Sequence, residues 1–296
     1  MLSRALQITW KHKVLWLFSA LPGLVGFLVF PIMIVPIFFL GMDSRGNLVL
    51  FENPIFIILF VGFNVLVSVV SFLLYTLSTA SVTLGIFRVE GDAETLHFRD
   101  LMKDGMNYFL RILGVGLLIG VGISAIFLAF FWCLTLFGMV TMGIGFICAQ
   151  PLIILMYPVM MILYALIEQS HAAVVVDDLG VTQAISRSWG LIKENFWRIL
   201  LLTLVIYFGV SILSSIVLVP FMLPFFFIPF LIEGAQLESN MQLAGLILGA
   251  FGLILLAVLA FVQGVTITFM KSTYVLLYLR LTRPSDVLPE IQEAAA

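Results

Sequence analysis

The chain has 296 residues, of which 62% are hydrophobic and only 10% charged, with a formal net charge of −2. Soluble domains carry about 25% charged residues, so this composition excludes a water-soluble core; several runs exceed the ~20 apolar residues needed to cross the hydrocarbon layer. No basic face and no interleaving of basic with aromatic residues is present, so nucleic acid is not an expected partner.

Residues 2–13 form a short amphipathic lead, with Leu6 and Trp10 facing one way and Arg4, Gln7 and Lys11 the other. The apolar run from Val14 to Leu40 follows Arg4, Lys11 and Lys13 in the manner of a signal peptide. It is too long for one and lacks a small-x-small cleavage site, so it is expected to remain as span 1, with Pro31 and Pro36 near its far end. The polar loop GMDSRGNLVLFENP leads to span 2, residues 55–87. The charged stretch RVEGDAETLHFRDLMKDGMNYF then opens a second amphipathic helix, whose apolar side is Phe98, Leu101, Met102 and Phe109. Span 3 covers 110–137, and the uncharged connection FGMVTMGIG is a tight turn at the membrane surface. Span 4, residues 144–167, carries Pro151 and Pro158 on one face.

Residues 171–200, HAAVVVDDLGVTQAISRSWGLIKENFWRIL, supply the third amphipathic helix. Its apolar positions Val181, Ile185, Trp189, Ile192 and Phe196 keep helical spacing, and Gln183, Arg187, Lys193 and Glu194 lie opposite. Asp178 is placed to cap its start, and Lys193 suits the negative end of the helix dipole. Such a helix lies in the headgroup layer with its apolar side inward. Span 5 begins near 197 and ends in VPFMLPFFFIPFL. A short acidic loop with Glu233 and Glu238 precedes span 6, residues 241–272, which continues as helix to about Arg280. The tail, 285–296, reads as a disordered cytoplasmic segment.

The expected fold class is therefore an all-α integral membrane protein: a single transmembrane domain over 1–284 with six transmembrane helices as three hairpins. An amphipathic interfacial helix precedes each hairpin, giving a pseudo-threefold repeat with units 1–90, 91–170 and 171–284. On this layout 13 of the 14 Lys and Arg residues share the side of both termini, and only Arg45 lies opposite. The positive-inside rule then puts both termini in the cytoplasm. Trp10, Trp16, Trp189 and Trp197 fall at the inner interface as an aromatic belt.

Chemistry is sparse. Polar residues recur at helical spacing in several spans: Asn64, Ser68, Ser71, Tyr75 and Ser78; Gln150, Tyr157, Tyr164 and Glu168; Thr203, Tyr207, Ser211 and Ser214; Gln263, Thr266, Met270 and Thr273. A shared substrate cavity is one reading of them and interhelical hydrogen bonding the other, with Asn64, Tyr75, Gln150, Tyr157, Tyr164, Glu168, Gln263 and Lys271 as candidate inter-helix polar contacts. Ion-coupled transport usually needs a charge near the bilayer midplane, and these stripes place none there. Gly114, Gly116, Gly120 and Gly122, and Gly245 and Gly249, form small-xxx-small patterns suited to close helix approach. His12, His97 and His171 have no metal-ligand partner at i+3 or i+4, and Asp177 and Asp178 read as helix-capping acids rather than a cation site. Cys133 and Cys148 lie in apolar segments, where a plain buried thiol is expected. No catalytic residue, cofactor or metal ligand is predicted. Glu168 and Lys271 are the charges nearest the apolar ends of spans 4 and 6. Either Lys271 snorkels to the headgroups or the two residues pair directly.

The stretch AAVVVDDLGVTQAISRSWGLIKENFWRIL, together with the closing TYVLLYLRLTRP, resembles a bacterial multi-pass membrane protein family related to the glycerophosphoryl diester phosphodiesterase membrane domain. In fused members of that family catalysis belongs to a separate soluble domain marked by an HRG motif. No HRG occurs here, so the resemblance implies no phosphodiesterase activity. The expected function is a non-enzymatic structural or accessory role in a bacterial inner membrane, with membrane lipids as partners and other membrane proteins as candidates. The alternative is a transporter or flippase of a lipid or small amphiphile. A cavity between spans 2, 4 and 6 would favour the alternative, and a tightly packed interior the first.

Overall fold

The structure, a computed structural model, describes residues 1–26, 54–91, 93, 95–141, 143–234 and 241–283, with the backbone alone at 144, 146–149, 152–153, 224–234 and 241–250. Among these residues it is all-helical. The helices are α1 (Leu2–Lys11), α2 (Val14–Gly26), α3 (Pro54–Glu90), α4 (Phe98–Val140), α5 (Ile144–Val176), α6 (Val181–Glu194), α7 (Phe196–Gly234) and α8 (Met241–Thr282). Five of them, α3, α4, α5, α7 and α8, contain stretches long and apolar enough to cross a membrane. The far part of span 1, the loop holding Arg45, Glu238 and the tail lie outside the described residues, as does the side chain of Cys148.

These five helices run for 37, 43, 33, 39 and 42 residues. At 1.5 Å per residue that is about 50–65 Å, against a hydrocarbon layer of about 30 Å. Each is therefore longer than a crossing requires. Burial changes along them accordingly. In α3, Ile58 and Leu59 are 70% and 67% exposed, whereas Ala80, Val82 and Ile86 are fully buried. In α5, Ile154 and Leu155 are exposed, while Ala165 and residues 168–176 are buried. Large apolar residues face outward in one part of a helix, and Ser, Thr and charged residues are enclosed in the other. That inversion of the water-soluble pattern is how a multi-pass membrane protein is built.

The chain forms two compact units. One comprises residues 1–8, 79–208 and 270–296; the other comprises 9–78 and 209–269. Their boundaries do not follow the three expected repeat units. In the first unit α4, α5 and α6 pack on one another, and a Cβ on Gly105 would lie 2.5 Å from Ser81 Oγ, so α4 can approach α3 only through a glycine. In the second, hydroxyls tie helices together: Ser19 to Thr268 at 2.9 Å, Ser78 to the carbonyl of Phe18 at 2.7 Å, and Ser214 to Thr266 at 3.2 Å.

Several details depart from the sequence reading. The second amphipathic segment is not a separate interfacial helix; it forms the opening turns of the unbroken α4, because nothing between Phe98 and Val140 stops the helix. The expected tight turn is present. There Gly143 takes φ +94°, its N–H bonds to the carbonyl of Gly138 at 2.8 Å, and Thr141 Oγ1 accepts the N–H of Gly145 at 2.7 Å. α6 packs on the protein through Ala184, Ser188, Leu191 and Ile192, leaving Trp189 and Phe196 exposed, with the Lys193 ammonium 5.3 Å above the Trp189 ring. Its N-cap is Gly180, not Asp178, which takes φ +52° and binds Arg111 instead. Of the glycine patterns, Gly116, Gly120 and Gly122 face open space, and only Gly114 abuts another helix, at Val181; the side-chain surroundings of Gly245 and Gly249 lie outside the described residues. Cys133 is an exposed free thiol rather than a buried one.

The close approach to a neighbouring backbone in the second unit lies elsewhere, at Gly264. A Cβ there would sit 2.8 Å from the Trp16 carbonyl oxygen and 3.2 Å from Ala20 Cβ. Gly264→Ala should therefore force α2 and α8 apart and cost about 1–3 kcal/mol, as overpacking does. Gly252 has nothing within 4 Å, so Gly252→Ala should be neutral or stabilising by up to about 1 kcal/mol. Thermal unfolding of the two variants in detergent checks the contrast.

Candidate functional site

Side chains of α5, α7 and α8 converge within the first unit. On α5, Tyr157, Met161, Tyr164, Glu168 and His171 recur at steps of three and four, so they share one face. On α8, Lys271, Tyr274 and Tyr278 follow in the same way, and α7 contributes Thr203 and Tyr207. The Lys271 ammonium donates to both carboxylate oxygens of Glu168 at 3.2 Å. His171 Nδ1 lies 3.9 Å from Glu168 Oε2. All three are enclosed, at 1%, 3% and 3% exposure for Lys271, Glu168 and His171. Snorkelling does not describe Lys271: α8 continues as helix for eleven residues beyond it, and residues 271–279 are all buried, so its stem meets protein rather than headgroups.

A second layer lies one turn along α8. Tyr274 donates its hydroxyl proton to Thr203 Oγ1 at 3.0 Å, and Tyr164 meets the Tyr274 ring edge-on at 5.7 Å. A third layer closes the end of the helix. The Tyr278 hydroxyl donates to Asp177 Oδ2 at 2.5 Å, and the Arg283 guanidinium lies 3.4 Å from Asp177 Oδ1. Asp178 Oδ1 accepts from Arg111 at 2.5 Å. Both aspartates, expected as helix caps, are thus held by side chains far away in sequence. Among the described residues no cluster of His, Cys, Asp and Glu is arranged to hold a metal ion.

Above the second layer a cavity of about 340 Å³ opens between α5, α7 and α8. Thr203 and Met161 are buried at its floor, whereas Tyr157, Met160 and Tyr207 are exposed at its mouth; Tyr164 and Met270 complete the lining. It lies among spans 4, 5 and 6 of the sequence layout, not between spans 2, 4 and 6.

Of the candidate contacts, Tyr164, Glu168 and Lys271 meet in these layers and Tyr157 lines the cavity. Asn64 instead bonds the Phe60 carbonyl of its own helix at 2.8 Å, Ser68 does the same to Asn64, and Tyr75 and Gln150 are exposed. Gln263 belongs to the second unit, where its side chain fills the space left by Gly23 and its Oε1 is buried without a hydrogen bond. Tyr274 and Tyr278 escape the sequence reading, which takes Asp177 only as a helix cap and His171 only as a histidine without a metal-ligand partner. The steps Glu168–His171 and Lys271–Tyr274–Tyr278, each a helical repeat of three or four, are the signal that marks them.

Removing one member of a buried ion pair leaves an uncompensated charge and costs about 3–5 kcal/mol, whereas removing both costs far less. Glu168→Gln and Lys271→Met should each lower stability strongly, and the double variant should recover much of the loss. A double-mutant cycle on unfolding in detergent measures the coupling, and additive effects would mean that the contact contributes nothing.

No curated protein and no solved structure matches the chain. One family does: the model described as "Domain of unknown function (DUF7847)" matches residues 96–280, which include α4 to α7 and α8 almost to its end, and so every residue of the ion pair and the cavity. The match takes in more than half of the sequence, and the protein belongs to the DUF7847 family.

Proposed function

We propose that this protein is a non-enzymatic integral membrane protein of a bacterial inner membrane with a structural or accessory role. The observation that carries the reading is the state of Glu168 and Lys271. The most enclosed acid and base among the described residues are turned on each other, with oxygen–nitrogen distances of 3.2 Å. Paired in this way they lock α5 to α8, and neither is left as a general acid or base facing a substrate. The Tyr274–Thr203 and Tyr278–Asp177 bonds extend the lock to α7 and to the α5–α6 turn.

Six spans follow from adding the apolar run that begins with α2 to the five long helices. The pseudo-threefold repeat is supported by α1 and α6, each a short helix with one packed face and exposed tryptophan, each leading into an apolar helix. The distribution of cations supports cytoplasmic termini. Membrane lipids are the partners this surface calls for. The likeness of residues 172–200 and 273–284 to the glycerophosphoryl diester phosphodiesterase membrane domain fits a membrane role and brings no catalytic group with it.

A second reading, a transporter or flippase of a lipid or small amphiphile, is favoured by one feature, the cavity between α5, α7 and α8. Reconstitution separates the two. Purified protein in liposomes should leave fluorescent phospholipids on their original leaflet; protein-dependent movement would replace the structural reading by the transport one. Orientation is tested independently in cells. Single cysteines at Lys103 and Gln183 should be protected from an impermeant thiol reagent, and one at Val140 should react. Labelling of Gln183 from outside would overturn the topology.

A further inference from the structure

The cavity between α5, α7 and α8 has a composition that packing alone does not account for. The chain holds 28 Phe and 7 Tyr, so phenylalanine is its ordinary aromatic residue on surfaces that face lipid. Three of the seven tyrosines, Tyr157, Tyr164 and Tyr207, nevertheless line this single cavity, together with Met160, Met161 and Met270.

Depth sharpens the point. In the sequence layout span 4 ends at residue 167 and span 5 begins near 197, which puts Glu168 on α5 and Phe196 at the start of α7 at one edge of the hydrocarbon layer. Tyr157 and Tyr207 each stand eleven residues along their helices from those marks, or about 16 Å at 1.5 Å per residue. The layer is about 30 Å thick, so both phenols lie near its midplane. They are 59% and 51% exposed, and neither hydroxyl makes a hydrogen bond among the described residues. A hydroxyl in hydrocarbon without a partner is costly, and phenylalanine would avoid that cost.

We propose that the cavity binds a neutral, lipid-soluble carbonyl compound of the isoprenoid-quinone class, its ring seated among the tyrosine and methionine side chains and its carbonyl oxygens accepting from Tyr157 and Tyr207. The chemistry selects this occupant. A charged head group is excluded at that depth by the cost of burying its charge, and a bare acyl chain offers nothing to the phenols. A flat ring with two acceptors satisfies both hydroxyls and suits a lining of aromatic edges and adaptable thioethers. The volume, about 340 Å³, falls in the range of small-molecule sites, about 300–1,000 Å³. The inference requires only that α5, α7 and α8 cross the membrane, and it does not depend on which side faces the cytoplasm.

The test uses the full chain in lipid nanodiscs, titrated calorimetrically with a decyl-tailed benzoquinone, with empty nanodiscs subtracted. Decylbenzene, which has the tail and ring but no carbonyl, is the matched probe. Saturable binding of the quinone with a single site, and much weaker binding of decylbenzene, is expected. Tyr157→Phe with Tyr207→Phe removes only two unpartnered hydroxyls, so folding should be unchanged. Quinone affinity should fall about tenfold or more, as the loss of two hydrogen bonds implies, and decylbenzene binding should not change. Met160→Trp, at an exposed position on the rim, should block both probes. Equal binding of the two probes, or full quinone affinity in the double Phe variant, would overturn the proposal. Cysteine labelling reads the topology separately, so failure of the orientation and failure of the site are distinguishable.

Discussion

The contact between Glu168 and Lys271 is the constraint on which the first unit depends. Desolvating two opposite charges is expensive, and their attraction offsets that cost only when the geometry is close and further hydrogen bonds are available. Here one ammonium faces both carboxylate oxygens, and His171 stands one turn away on the same helix. Replacing both charges by well-packed apolar residues is often neutral in such cases, so the pair's main effect is selectivity rather than net stability. It fixes which turn of α5 meets which turn of α8. Helices this apolar present many alternative registers of nearly equal packing, and one buried charge pair separates them.

That register carries the layers on either side. Tyr274 lies three residues beyond Lys271 and Tyr278 four beyond that, so placing Lys271 against Glu168 also brings the first hydroxyl to Thr203 and the second to Asp177. A shift of one residue along α8 would rotate all three by about 100°, away from their partners. The hydroxyl bonds of the second unit are of a weaker kind. Interhelical bonds in membrane proteins average about 0.6 kcal/mol, and contacts such as Ser19–Thr268 add to close packing at Gly264 rather than imposing a register by themselves.

Much of this architecture is legible in the residue order, and the failures have physical causes. Helix positions follow from hydropathy, and the turn at 138–145 follows from its Gly and Thr content. The start of α4 was harder. The amphipathic period of Phe98, Leu101, Met102 and Phe109 and the apolar run after it occupy one uninterrupted helix, and periodicity changes without any residue that would break the chain. Capping is a local signal and does not reveal the partners of the aspartates, because Arg111, Tyr278 and Arg283 reach them across 67 to 106 positions. Glycine spacing likewise reports a capacity for close approach, not its use. Gly116 and Gly120 meet nothing, while Gly105, outside any repeat of small residues, and Gly264, four residues after Ala260, hold close crossings. Of the polar stripes, sequence spacing could not distinguish Asn64 and Ser68, which bond their own helix, from Tyr164, which faces another.

The ion-pair layers and the cavity are not independent features. Tyr164 and Thr203 belong to both: they line the cavity on one side, and on the other they engage Tyr274, one turn from Lys271. Thr203 is 1% exposed and Tyr274 is equally enclosed, so the floor of the cavity is part of the rigid core rather than a yielding surface. The mouth differs, because Tyr157, Met160 and Tyr207 are each more than two-fifths exposed. The cavity therefore has an exposed rim over an enclosed base. The Glu168–Lys271 pair holds that base in place, because it sets the depth at which Met270 and Tyr274 stand against α5 and α7.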